Sequence, residues 1–365
     1  MKKIMKIGGG LLLGLALGAG AVGISLLPPR ITAARPRPQP VFDSGAWVVS
    51  WDFPEGNREA RMIQSQLNSV SYFGGVLDGQ GKILVTGPWR TFRGEQFTRF
   101  RAPVRKYLTV TNDVYPYGVK VKEKKPKDTE LLDGLLATPE SRKAHGEALL
   151  QALKGTGCSG LEIDYEQVWK NPFTAYRYVK FLQELNLQAE EKKVPLRVIL
   201  EPDVPANSLI FPEGPEYVIM AYNLYGTHSS TPGPKADLAF VDRMLDKVAR
   251  MPRPHSIAFA TGGCVWEQGQ PPRFVTEKEA RALAAKTGKK PERDEKSQAL
   301  HFAAKNGKGS LECWYADGET LKAWKHRALE KGVDGISVWR LGGNEKIRSY
   351  YPGLEGKKSD PAADS

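Results

Sequence analysis

The chain has 365 residues, of which 41% are hydrophobic, 26% charged and 9% aromatic. That apolar share excludes disorder throughout, there is no collagen-like bias, and three cysteines cannot staple a small disulfide scaffold. The net charge is +12, but half of it falls in residues 1–42, which hold Lys2, Lys3, Lys6, Arg30, Arg35 and Arg37 and no acid.

In that leader, three lysines precede an uncharged run from Ile7 to Leu27, closed by Pro28-Pro29. As a helix the run would span about 31 Å, close to the ~30 Å of a bilayer core. It reads as a cleaved secretion signal ending near Thr32-Ala33-Ala34 or as an uncleaved anchor. Either way the lysines stay inside, and the rest of the chain is expected to be exported, touching membrane only through this N-terminal segment. A proline-rich linker, Pro28 to Pro40, follows.

Residues 43–352 read as one domain, and residues 353–365 as a polar tail. Strands are expected at Ala46–Asp52, Ser69–Gly74, Lys106–Asn112, Gly160–Tyr165, Leu196–Glu201, Tyr217–Tyr222, Ser256–Thr261 and Gly335–Trp339. Amphipathic helices are expected at Ser141–Leu153, Thr174–Glu191, Ala236–Arg250 and Thr320–Lys331. Eight strands with intervening helices give a (β/α)8 TIM barrel, with an open doubly wound sheet as the competing topology. A hairpin-like extra, Lys82–Val85, follows the second strand. A small α/β insertion, about 263–316, is expected to carry two helices and a strand at Leu311–Tyr315. The basic run Lys120, Lys122, Lys124, Lys125 and Lys127 reads as a solvated loop. No nucleic-acid-binding signature accompanies it, so no nucleic-acid partner is expected. Five scattered histidines and three cysteines lack metal-site spacing, so neither a metal nor a cofactor is expected.

The informative segment is Gly160-Leu161-Glu162-Ile163-Asp164-Tyr165-Glu166. Strand alternation puts Leu161, Ile163 and Tyr165 on one face and three carboxylates on the other, ~6–7 Å apart. On an exposed sheet this would be an ordinary solvated row. Inside a barrel, crowded carboxylates raise at least one pKa, as a general acid requires.

Two later segments complete a pattern: Met220-Ala221-Tyr222-Asn223, and Gly335 to Gly342 with Trp339 inside it. Together with the acidic strand they resemble, in order, the signatures of glycoside hydrolase family 18. With Glu312-Cys313-Trp314-Tyr315 ahead of the last helix, the chain is most similar to the bacterial spore-cortex and cell-wall branch. The resemblance covers about residues 45–350. It implies a barrel enzyme that cleaves β-1,4 bonds beside N-acetylglucosamine with retention, the substrate's acetamido oxygen serving as nucleophile. It also implies roles. Glu166 would be general acid and base, Asp164 would orient the acetamido group, Tyr222 would hydrogen-bond its oxygen, and Trp339 would floor the sugar site. Glu162 and Asn223 are expected to help bind substrate.

Three positions depart from the family pattern. Ser159 and Glu162 stand where aspartates are usual, and Asn223 replaces the aspartate beside Tyr222. Loss of that carboxylate is expected to move the pH optimum down. Trp51, Tyr72 and Phe73 read as core, whereas Trp266, Trp314 and Tyr315 are candidates for stacking on sugar faces. Glu201 is expected to meet either substrate or the neighbouring Arg197. The resulting expectation is an exported, monomeric glycosidase acting on an N-acetylglucosamine-containing polysaccharide, peptidoglycan ahead of chitin. The alternative is a sugar-binding envelope protein whose barrel has lost catalysis.

Overall fold

A computed structural model describes residues 42–86, 100–115, 124–306, 309–345 and 347–350. The leader, the linker, Lys120, Lys122 and the 353–365 tail lie outside these residues. The strands, in chain order, are β1 (Asp43–Val49), β2 (Ser69–Leu77), β3 (Ile83–Val85), β4 (Arg105–Val114), β5 (Gly160–Asp164), β6 (Leu196–Leu200) and β7 (Glu216–Met220). They continue as β8 (His255–Ala260), β9 (Gly262–Glu267), β10 (Arg273–Val275), β11 (Glu292–Arg293), β12 (Leu300–Asn306), β13 (Gly309–Ala316) and β14 (Gly335–Trp339).

Eight of them, β1, β2, β4 to β8 and β14, pair in parallel, each with the next. β14 pairs back onto β1, with Gly335 opposite Asp43, to close the barrel. These are the eight segments expected from the sequence, with ends moved by at most three residues. The first strand stops early because Pro54, in the first turn of the helix Phe53–Met62, commits Ser50–Asp52 to a helical turn. Three expected helices begin two residues early, at Pro139, Pro172 and Gly318. Thr138, Asn171 and Asp317 cap the free N–H groups there. The hairpin extra is β3, antiparallel to the far end of β2.

The insertion differs from expectation. It holds one described helix, Glu277–Lys286, on an antiparallel sheet ordered β10-β9-β13-β12-β11. Ala-rich β12 has helical propensity, yet it alternates buried Phe302 and Ala304 with exposed Ala303 and Lys305. Pairing with β13 over a second apolar core decides its state. Among the described residues no helix is long and apolar enough to cross a membrane.

The base of the barrel is polar. Arg197, 1% exposed, pairs with Glu162 and Glu216 at 3.2 Å each and donates to Ser71 Oγ and Ser337 Oγ. Its guanidinium also lies 5.2 Å from the Tyr107 ring centre and 5.7 Å from that of Trp47. Small residues make the room. A Cβ on Gly45 would fall 2.5 Å from Ser337 Oγ, and one on Gly160 2.5 Å from the Tyr107 ring.

Candidate active site

At the C-terminal ends of the barrel strands a cleft of about 700 Å³ opens, lined by Asp164, Glu166, Tyr222, Asn223 and Trp339. This is the face on which barrel enzymes carry their chemistry. Alternation along β5 holds as expected. Leu161, Ile163 and Tyr165 face the helix layer, where Tyr165 Oη meets His145 Nε2 at 2.8 Å. Of the three acids opposite, two reach the cleft.

Glu162 does not, and its expected contact with substrate is corrected here. It is fully buried, accepting from Trp47 Nε1 (2.6 Å), Ser71 Oγ (2.7 Å) and Thr109 Oγ1 (2.6 Å) besides pairing with Arg197. With its oxygens so occupied, its extra methylene serves to reach Trp47. Trp47 in turn packs 6.0 Å from Trp339, centroid to centroid, so Glu162 holds the indole that packs against Trp339.

Asp164 ends β5 and is 6% exposed, and its Oδ1 has no hydrogen-bond partner. Burial, then the Glu166 charge, push its pKa well above the carboxylate range, with Lys127 opposing. Glu166 lies two residues on. A reciprocal pair of 3.0 Å bonds fixes its backbone: its N–H donates to Asn112 Oδ1, and Asn112 Nδ2 donates to its carbonyl. Its carboxylate is bound by Lys127 Nζ.

Lys127 was expected in a solvated loop. Instead it takes a left-handed turn (φ 52°), held by its N–H on Asp113 Oδ1 at 3.1 Å, and sends its ammonium into the cleft. Burial would lower its pKa, but Asp164, Glu166 and Asp113 outweigh that and raise it. The other described lysines of the run are also paired, Lys124 with Asp113 (2.6 Å) and Lys125 with Asp128 (2.8 Å).

Tyr222, 6% exposed, follows β7. Burial and the charges of Asp164, Glu166 and Glu162 raise its pKa, so the phenol stays a donor throughout the ordinary pH range. Asn223 is exposed at φ 67°, a left-handed position that asparagine tolerates. Trp339 closes β14, its bond to Arg340 is cis, and its ring lies 5.1 Å from Phe73. Phe73 and Trp51, read from sequence as core, line the cleft, whereas Tyr72 is core. Trp266, Trp314 and Tyr315 are not in the cleft wall. Trp266 donates to Ser229 O, Trp314 stacks on His301, and Tyr315 is buried in the second core. The insertion offers Phe274 and Gly263 to the cleft in their place. Ser159 is exposed five residues before Asp164, at the start of β5. Among the described residues no His, Cys, Asp and Glu cluster could hold a metal ion.

Glu201 is half-buried and does not pair with Arg197. It accepts the N–H of Gln167, and burial, then the Glu166 and Asp203 charges, raise its pKa to about 7 against that hydrogen bond. A carboxyl raised on folding stabilises below its unfolded value and loses that contribution as pH climbs through the folded value. Glu201→Gln keeps an acceptor for Gln167. It should therefore raise stability by up to about 3 kcal/mol at pH 8 and by little at pH 4, read from urea midpoints. An equal gain at both pH values would contradict this.

Carboxylates at the end of one strand, a phenol just after another and an indole at the end of the last line one cleft. The sequence profile named Glycosyl hydrolases family 18 matches residues 126–344, more than half of the chain. The chain belongs to this family. The family-18 barrel has several solved counterparts. The spore cortex-lytic enzyme SleL of Bacillus cereus is 20% identical, with a TM-score of 0.68 over 86% of this chain and 74% of that one. A chitinase of Chromobacterium violaceum is 17% identical, with a TM-score of 0.67 over 84% and 96%. The class V chitinase of Nicotiana tobaccum is 15% identical, with a TM-score of 0.66 over 84% and 97%. Among curated proteins none matches the sequence. Family membership makes the protein a glycosyl hydrolase. Sequence reasoning missed Lys127, Phe73 and Trp51 as parts of its cleft, and Asn112 as the clasp on the Glu166 backbone. None carries a local signal, since each arrives by a turn or a register that only the folded barrel supplies.

Proposed function

We propose that the protein is an exported retaining glycosidase that cleaves β-1,4 bonds next to N-acetylglucosamine in peptidoglycan, ahead of chitin. The observation that carries this reading is the shared cleft of Asp164, Glu166, Tyr222 and Trp339, with Asp164 buried, short of a partner and raised in pKa. Similarity to a spore cortex-lytic enzyme and to chitinases supports the class of glycan. Export rests on Lys2, Lys3 and Lys6 ahead of the apolar run.

Asp164 and Glu166 would share one proton. Burial of Asp164 favours the proton there, while the Glu166 carboxylate is bound by Lys127. A sugar seated on Trp339 brings its acetamido N–H to Asp164, which favours the carboxylate there and moves the proton to Glu166. Glu166 then protonates the glycosidic oxygen as the acetamido oxygen attacks the anomeric carbon. Tyr222 donates to that oxygen before attack, and Asp164 balances the cationic ring that forms. Water, deprotonated by Glu166, opens the ring with retention.

The same Lys127–Glu166 pair motivates the second reading, a sugar-binding protein, because it occupies the carboxylate that catalysis would use. Strands with and without N-acetyl groups distinguish the two. The glycosidase releases reducing ends from acetylated strands and, lacking the internal nucleophile, from de-N-acetylated ones at least about a hundredfold more slowly. Binding of acetylated strands without any release would select the binding protein.

A further inference from the structure

Lys235 lies between β7 and the helix Leu238–Val248 and is 8% exposed, yet it forms part of the cleft wall shared with Asp164 and Glu166. Its ammonium sits 4.8 Å over the Phe274 ring of the inserted sheet, which supplies weak compensation on one side. Burial lowers its pKa, the Arg340 charge adds to that, and the Cys264 thiol opposes. Among the described residues no carboxylate pairs with it. The acids on that wall are engaged elsewhere: Asp52 binds Arg340 at 2.6 Å, and Glu279 accepts from Thr276 at 2.7 and 3.0 Å. A buried cation in a cleft wall, with an aromatic ring of the same wall against it and no carboxylate partner among the described residues, is an anion site.

We infer that Lys235 is a specificity-determining residue that binds an ionised carboxylate carried by the glycan, and so selects acid-bearing N-acetylhexosamine strands over neutral ones. This rests on the glycosidase reading above. Such a carboxylate has two sources in peptidoglycan: the free lactyl ether of a peptide-stripped N-acetylmuramic acid residue, or the stem peptide attached through that ether. A chitin chain has neither and leaves Lys235 uncompensated. The ammonium donates to the carboxylate beside the Phe274 ring, and no bond is made or broken.

The test is calorimetric, on protein carrying Glu166→Gln so that strands survive. Four ligands of equal length are compared: peptide-free strands, the same strands with carboxylates converted to methylamides, peptide-bearing strands, and chito-oligosaccharides. Carboxylate strands should bind about 10–100-fold more tightly than their methylamides. Lys235→Met should erase that difference and leave chito-oligosaccharide affinity unchanged, and Lys235→Arg should restore part of it. Preference for peptide-free strands assigns the lactyl source, and preference for peptide-bearing strands assigns the stem. Equal weakening on all four ligands, or no effect of Lys235→Met, overturns the inference. Failure of the glycosidase reading shows separately, as no turnover of any strand by the wild-type protein, and leaves these binding ratios intact.

Discussion

Glu166→Gln should lower kcat/KM on N-acetylglucosamine strands by about 10²–10⁴-fold, the usual contribution of a positioned general acid. The amide keeps the size of the carboxylate and the backbone clasp with Asn112, so binding should survive. Lys127 would lose its carboxylate partner there but keep Asp113, which lies 3.8 Å from its ammonium and binds its N–H. The loss should shrink on an aryl glycoside, whose leaving group needs no proton, while hydrolysis of the intermediate then becomes limiting. A variant within tenfold of wild type on both substrates would remove Glu166 from the acid role. The reading would then have to move to Asp164, whose pKa burial and the Glu166 charge raise.

Arg197→Met should destabilise the barrel by about 3–5 kcal/mol, seen as a lower urea midpoint at pH 7. The guanidinium is the cation that joins Glu162 and Glu216 in the polar base, and both carboxylates are buried. Burial already pushes Glu216 up in pKa, with Arg197 restraining it. Without Arg197 two carboxylates remain in low dielectric with hydroxyls and one indole as donors. They would recover neutrality by binding protons, so the deficit should narrow toward pH 4. The methionine fills volume, which separates lost charge from a cavity. A deficit under 1 kcal/mol, or one independent of pH, would show that the pairs contribute little. Activity should fall as well, because the Glu162 contact that supports Trp47 and Trp339 depends on the same cluster.

Period-two alternation made the acidic strand legible. Tyr165 facing Phe181 and Asp164 facing the cleft follow from the residue types of a single pentapeptide and its flank. The eight barrel strands were readable for the same reason, each being short, β-branched and bounded by turn residues. Depth along a strand was not. Glu162 and Asp164 share a face, but one lies at the polar base and the other at the mouth, a difference set by barrel closure. Lys127 was hidden inside a run of lysines because its left-handed turn and its Asp113 anchor are non-local. β12 was hidden because alanine favours helix until a partner strand and a second core override it. The aromatics of the insertion misled for a related reason. Composition marks Trp314 as a sugar-stacking residue, while the strand register gives it His301 instead.

Closure of the barrel between β1 and β14 joins residues nearly 300 positions apart, Asp43 to Gly335. During synthesis the first strand waits, one edge unpaired, until the last has left the ribosome, and loop-closure entropy makes such distant pairing slow. An opened edge strand and an unfilled polar base are exposed until β14 arrives, so refolding yield after dilution from urea should depend on protein concentration more than the size of the barrel alone would suggest.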